Sequence, residues 1–254
     1  MSYKTDGSSH YTGIQSEKHL REYLASGVAE KLYGLTGDYS VIKRGGTLYK
    51  QDIEIVRKDQ DPILISVKKK ENKETGSFDW VNTTNLISKI PALNKFSKRV
   101  KEIGESGVSY GQAYIDRKQA SLDCLSCLTS KDIKTILKRE VLDKNTNMRI
   151  MIRDLFTNTV WEFGFNDLPL YRSIKYDTPY LDIGRGTESS KIMFRRKNGT
   201  IVDHNLRIRI VDNNGISALL GLSKSNKSSI ACIKIQQENV GELIESLGNK
   251  KRKL

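Results

Sequence analysis

Cysteine is nearly missing from this 254-residue chain: Cys124, Cys127 and Cys232 are the whole set. An odd and sparse set builds no disulfide framework and suits a reducing compartment. Histidine is equally thin, with only His10, His19 and His204. Cys124-Leu-Ser-Cys127 has the spacing of a metal knuckle. A structural zinc site needs four ligands, usually from two such pairs, and the third cysteine is distant. The pair therefore reads as a packed helix face. Long apolar runs are missing too. None approaches the ~18 residues of a membrane span, and the opening MSYKTDGSSHYTG lacks the apolar core of a signal peptide. The expectation is a cytoplasmic protein with no membrane partner. GDYSVIKRGG fits no phosphate-cradling loop, and no Cys/His hydrolase pattern supports nucleophilic catalysis by thiolate. Acidic residues are in deficit: 30 Asp and Glu stand against 43 Lys and Arg, a formal charge of +13. That excess favours a polyanionic partner.

What is present is enough apolar residue, 37% of the chain, to bury a core at this length. Residues 1–13 are polar and read as a flexible arm. GIQSEKHLREYLASGVAEKLYG follows as a helix, with Ser16 as its cap and Leu20, Leu24, Val28 and Leu32 on one face. Gly34 and Gly37 end it. YSVI, DIEIV and ILISVKK are strands, the last two joined by the turn KDQDP. Residues 79–105 read as helix broken at Pro91, residues 112–140 as helix, and residues 148–163 as a mixture of strand and helix. The stretch SKIMFRRKNGTIVDHNLRIRIVDNNGISALLG holds two Asn-Gly pairs between β-rich runs, the strongest short hairpin signal. IACIKIQ is a further strand, ENVGELIESLG a closing helix, and NKKRKL a disordered basic run. No internal repeat is evident. The expected class is mixed α/β, with helices flanking a core sheet and a β-rich C-terminal part. The division is an arm (1–13), a core (14–165), a β-rich region packed on it (166–248) and a tail (249–254).

The chemistry gathers in GGTLYKQDIEIVRKDQDPILISVKKKENKETGSFDWVNTT, residues 45–84. Side chains alternate along a strand, so Asp52 and Glu54 share a face, as do Ser66, Lys68 and Lys70. With the turn centred on Gln60, Asp52 faces Lys68 and Glu54 faces Ser66. The other face holds Ile53, Ile55, Ile65 and Val67. A hard divalent cation such as Mg²⁺ takes one or two carboxylates, a carbonyl and waters. Asp52, the carbonyl of Val67 and Glu54 are the candidate ligands. Lys68 is the candidate lysine for orienting or deprotonating a water beside a phosphodiester. The competing reading is an exposed Asp52–Lys68 ion pair, worth roughly 0.2–1 kcal/mol.

Asp52, thirteen residues, then Ser66-Val67-Lys68 resembles the pattern of the PD-(D/E)XK nuclease superfamily, an acid on one strand and (D/E)-x-K on the next. Serine stands at position 66 where the pattern has an acid, so either Glu54 supplies the missing carboxylate or Ser66 holds a water. GIQSEKHLREYL resembles the N-terminal helix of small type II restriction endonucleases that cut short sites. That likeness implies for Glu17 the role of outer-shell or second-metal ligand. KIMFRRKNGTIVDHNLRIRIV resembles their late basic hairpin. The resemblance implies a restriction-endonuclease-like core, Mg²⁺ as cofactor, and sequence-specific hydrolysis of double-stranded DNA to 5′-phosphate and 3′-hydroxyl ends. Catalysis would rest on Asp52, Lys68, Ser66 and Glu17. Short sites are usually palindromic, which invites a homodimer, though the sequence leaves one subunit or two open; the resemblance also implies a cognate methyltransferase encoded nearby but not bound.

For the DNA itself, Lys69, Lys70 and Lys73 suit phosphates. Gly76 and Ser77 lead into an expected helix start, where backbone N–H groups bind phosphate. Asn82 and Thr83 offer short polar groups, while Phe78 and Trp80 read as core. In the late hairpins Arg195, Arg196, Lys197, Asn198, Arg207 and Arg209 supply the forks and amides that read base edges in the major groove, which admits a two-stranded ribbon. Two other functions fit the same residues: a structure-specific nuclease such as a Holliday-junction resolvase, and a catalytically inactive DNA-binding protein.

Overall fold

The computed structural model describes residues 8–44, 51–70, 76–83, 89–184, 189–212 and 231–254. Lys73 and the second Asn-Gly pair, Asn214-Gly215, lie outside the described residues. The fold is mixed α/β. Its contacts group the chain into two interleaved units. One comprises residues 1–78, 144–169 and 240–254, and the other 79–143 and 170–239. The boundary expected at residue 165 is close to the switch at 169. Residues 79–143, however, belong with the late β-rich region and not with the core.

The first unit opens with α1 (Ser8–Tyr23). Ser16 is therefore no cap. It sits mid-helix and is buried, and the expected arm ends by Ser8. Around Gly27, whose φ of 94° suits a residue without Cβ, the helix kinks before α2 (Ala29–Tyr33). Gly34, in the left-handed region, closes α2 as expected. The strands are β1 (Tyr39–Lys43), β2 (Ile53–Arg57), β3 (Gln60–Lys70), β5 (Met148–Asp154), β6 (Thr159–Gly164) and β11 (Arg252–Lys253); β4 belongs to the other sheet. Among the described residues they form one sheet in the order β1-β2-β3-β5-β6-β11. β3 and β5 run parallel, and the remaining pairs are antiparallel. Leu20 and Leu24 of the helix pack with Ile53, Ile55, Ile65 and Met151 in one apolar cluster. At about 25 cal/mol per Å² of apolar area, that burial is what holds the helix on the sheet.

The tail expected to be disordered is ordered. After α8 (Val240–Ser246) and a short turn (Gly248–Lys250), β11 pairs with β6 through Arg252↔Glu162 and Lys253↔Trp161. Lys251 and Lys253 lie over the ring of Trp161, at 5.1 and 6.0 Å from its centroid. Glu162 is fully buried, hydrogen-bonded by Arg149 and by Tyr33, whose hydroxyl burial pushes far above the usual phenol range.

The second unit holds a five-stranded sheet in the order β4-β10-β9-β8-β7. Its strands are β4 (Ser77–Thr83), β7 (Thr178–Asp182), β8 (Ser189–Arg195), β9 (Ile201–Asp212) and β10 (Ala231–Glu238). Gly76 and Ser77 therefore enter a strand and not the helix expected there, so no row of free helical N–H groups is offered. Its helices are α3 (Pro91–Glu105), α4 (Tyr110–Cys127), α5 (Ser130–Ile136), α6 (Asp143–Asn145, at the unit boundary) and α7 (Pro169–Tyr176). Pro91 opens α3 instead of breaking it, because a first-turn proline loses no helical hydrogen bond. Leu206, Ile208, Ile210, Ile233 and Ile235 form the buried face of β9 and β10. Ser121 of α4 donates to the Ile210 carbonyl at 2.6 Å. Phe78 and Trp80 are buried as expected. The first Asn-Gly pair makes the expected turn, with Gly199 at φ 85°. No helix among the described residues is long and apolar enough to cross a membrane.

Candidate active site

The β2–β3 hairpin turns at Lys58–Asp59 and not around Gln60, with Asp59 itself at positive φ. The tighter turn shifts the register. Ile53 pairs with Ile65 and Glu54 with Leu64, and Asp52, at a bend just before β2, donates its backbone N–H to the Ile65 carbonyl at 2.9 Å, so neither Asp52–Lys68 nor Glu54–Ser66 are direct partners. A shift of two residues preserves the face, since side chains alternate with period two. Asp52, Glu54, Ser66 and Lys68 consequently still share the face opposite the Ile53–Ile55–Ile65 core.

Asp52 is anchored. Its Oδ2 accepts the backbone N–H of Val67 at 2.7 Å and the hydroxyl of Ser66 at 3.3 Å. A hydrogen bond from N–H to a carboxylate contributes about 1.5–3 kcal/mol. Oδ1 has no hydrogen bond among the described residues, so one oxygen is fixed by the neighbouring strand and the other is open. Ser66, fully buried, thus orients the acid; it is not a site for a second one. Lys68 is one step further along the same face, a diagonal neighbour of Asp52 within reach of a long side chain. Its Nζ lies 5.8 Å from the centroid of Phe78.

The other expected residues are arranged less compactly. Glu54 pairs with Arg44, Nε to Oε2 2.6 Å. Arg44 is a residue that sequence reasoning passed over. It donates its backbone N–H to the Asp52 carbonyl and brings a guanidinium to the acidic face. Its signal was the parity of Lys43-Arg44 at the end of β1, readable only once the register is known. Glu17 has Lys43 at 3.9 Å. Lys43 faces Ile53 in register, on the side away from Asp52. Lys69 shares the side of Val67. Lys70 is no surface phosphate contact: it is buried in an ion pair with Asp154 at 3.0 Å. Burial pushes the Asp154 carboxyl up, but the Lys70 hydrogen bond and the N–H groups of Phe156 and Thr157 outweigh it and hold it below the ordinary value.

A metal is tested by the donor set. Among the described residues no group of three or more His, Cys, Asp and Glu converges on one point, and so none forms an all-protein cage. Mg²⁺ is bound by one or two carboxylates and keeps several waters. A carboxylate with one open oxygen, beside a strand carbonyl, fits that demand; Glu54 joins only by leaving Arg44.

In the late region Arg195, Arg196, Lys197 and Asn198 are exposed around the β8–β9 turn. Arg195 stacks on Tyr180 at 5.5 Å. Asn198 turns its Oδ1 back to the Thr200 N–H. Arg207 bonds Glu238 at 2.6 Å and Ser189 at 3.2 Å, and with Arg209 it lines a cavity of about 390 Å³. Ser77 is exposed on β4; the side chains of Asn82 and Thr83 lie outside the described residues. Comparison of the chain with protein-family models finds no match, and comparisons with curated proteins and with solved structures find none either.

Proposed function

We propose that the protein is a Mg²⁺-dependent endonuclease that cleaves double-stranded DNA at a specific sequence, as type II restriction enzymes of the PD-(D/E)XK kind do. The observation that carries the reading is the Asp52 carboxylate, pinned through one oxygen by Val67 and Ser66 on the face it shares with Lys68. An ordinary surface ion pair has no use for a carboxylate held by a neighbouring strand's backbone.

Asp52 and the Val67 carbonyl would hold the ion, which when bound withdraws charge from the scissile phosphate and lowers the pKa of a water. Lys68 orients the attacking water and donates to the phosphate oxygens as charge builds on them. Arg44, adjacent to Asp52 in register, adds positive charge where a phosphate enters. Ser66 keeps Asp52 in place. Basic residues of the late sheet grip the duplex, consistent with the chain's charge of +13. The reading makes the protein cytoplasmic, and a palindromic site calls for a homodimer.

The test is incubation of the purified protein with plasmid DNA and MgCl₂. Discrete fragments of fixed size support the reading. Cutting confined to four-way junctions would make it a resolvase, and intact DNA that shifts on a gel would leave only binding.

A further inference from the structure

The five-stranded sheet has a second face, and the pairing registers list what stands on it. Opposite the buried isoleucines, β9 presents Arg207 and Arg209. Across from them β10 presents Gln236 and Lys234, and β8 presents Lys191 and Ser189. Two like-charged pairs are therefore direct cross-strand partners: Arg209 with Lys234, and Lys191 with Arg207. Like charges directly opposite destabilise a sheet, so their placement asks for an anion. The face continues along β8 to Arg195, stacked on Tyr180 of β7. Acids also stand on it: Glu238 at Arg207, Asp203 at Lys191, and Asp182, which pairs with Lys191 in register. At its centre lies the cavity of about 390 Å³ lined by Ser189, Arg207, Arg209, Gln236 and Glu238.

We infer that this face, centred on Arg207, Arg209 and Lys234, is a seat for duplex nucleic acid, with the cavity receiving a backbone phosphate. The chemistry matches. Two guanidinium forks, a hydroxyl and an amide are the donors that phosphate oxygens accept. Successive same-face residues are about 7 Å apart along a strand and neighbouring strands about 4.8 Å apart, so the cations form a grid and not a point. An anionic membrane is the poorer occupant, because interfacial binding needs large apolar side chains beside the charge. Of the exposed large apolar residues one, Ile201, pairs with Arg195 at the turn end of this face, too little apolar surface for an interfacial anchor. The inference deepens the nuclease reading by giving the polyanion its seat, and adds Lys191, Lys234, Ser189 and Gln236 to the interface.

The experiment is fluorescence anisotropy with a labelled 30-base-pair DNA duplex in EDTA, across a salt series, on the wild-type chain, on Arg209→Gln/Lys234→Gln, and on Lys234→Gln alone. EDTA removes cleavage from the readout. The double variant is expected to bind at least about tenfold more weakly, with the slope of log K against log salt reduced by about 2 and the single variant by about 1. Lys234 is half-buried at a strand surface, so the single variant keeps the test alive should the double variant misfold. Unchanged affinity and slope in Lys234→Gln overturn the seat. Salt-dependent binding to phosphatidylserine vesicles, lost in the same variants while duplex binding persists, also overturns it. Tight duplex binding in EDTA with no cleavage in Mg²⁺ would defeat the nuclease reading and leave the seat standing.

Discussion

The two sheets follow the same rule and reach opposite chemistry. Each has an isoleucine-rich core face; opposite it the five-stranded sheet is polar, while on the six-stranded sheet the polar residues of β2 and β3 share their face with the buried Ile150 and Ile152 of β5. On the six-stranded sheet that polar face carries Asp52 and Glu54, with Arg44 and Lys68 among them, and Asp52 is tethered by backbone. On the five-stranded sheet it carries arginine and lysine in register with one another, interrupted by glutamine, serine and tyrosine. On the reading proposed above, the fixed acid serves to change a bond and the grid of cationic donors to hold a polyanion. Alternation sets which residues share a face, and the polar residues on the face opposite the isoleucines set the chemistry that face can offer.

The sharpest way to break this contrast is at the acid. Asp52→Ala is expected to lower Mg²⁺-dependent plasmid cleavage by at least about 10³-fold, and Lys68→Ala by about 10²–10⁴-fold. Duplex binding in EDTA should be unchanged in both. Cleavage at the wild-type rate in either variant would strip the first sheet of its role. Next in size is the ion pair beneath the site. Asp154→Ala leaves Lys70 buried without its carboxylate, and urea unfolding should show a loss of about 3–5 kcal/mol, while Asp154→Leu/Lys70→Met recovers most of it.

A third measurement separates the sheets by pH. Burial holds His204 at about 4 against an ordinary 6.5, opposed by Asp203 and Asp177 and reinforced by Arg196. Ser173 hydrogen-bonds its Nε2 at 2.9 Å. Between those two values the unfolded chain binds the extra proton, so stability falls as pH drops from 6.5 towards 4, by about 3 kcal/mol in all. Urea midpoints read across that range should lose this slope in His204→Gln. The smallest effect is expected at the turn: Lys197→Ala should weaken duplex binding in EDTA uniformly across sequences and reduce the salt slope by about 1. A larger effect there than at Lys234 would move the centre of the grip from the sheet face to its turn.

Much of the fold is legible in the sequence. The Ile53–Ile55–Ile65 face, the Leu20–Leu24 stripe and the Asn198-Gly199 turn follow from local periodicity, which the tertiary structure leaves intact. The register of Asp52 was not readable, because a two-residue turn at Lys58–Asp59 and a longer one at Gln60 bury the same isoleucines. Nor was the fate of Lys70, since its partner Asp154 lies on β5 and meets it only through the parallel pairing of β3. The C-terminal strand was hidden for a similar reason. Arg252 and Lys253 have no strand propensity to announce them, and their order comes from β6 and Trp161 far back in the chain. Pro91 misled because proline punctuates helices at both ends, and sequence alone does not say on which side the helix lies.

The interleaving of the two units carries a consequence for the birth of the protein. β3 can fold against β2 as soon as the hairpin leaves the ribosome, but its other neighbour, β5, is made some eighty residues later, and the strand that covers β6 later still. Throughout that interval the stretch bearing Asp52 and Lys68 has one bare edge and an incomplete floor. The sheet that flanks Asp52 and Lys68 is complete only once β5, β6 and β11 have been made, so on the proposed reading full activity against DNA would wait for most of the chain.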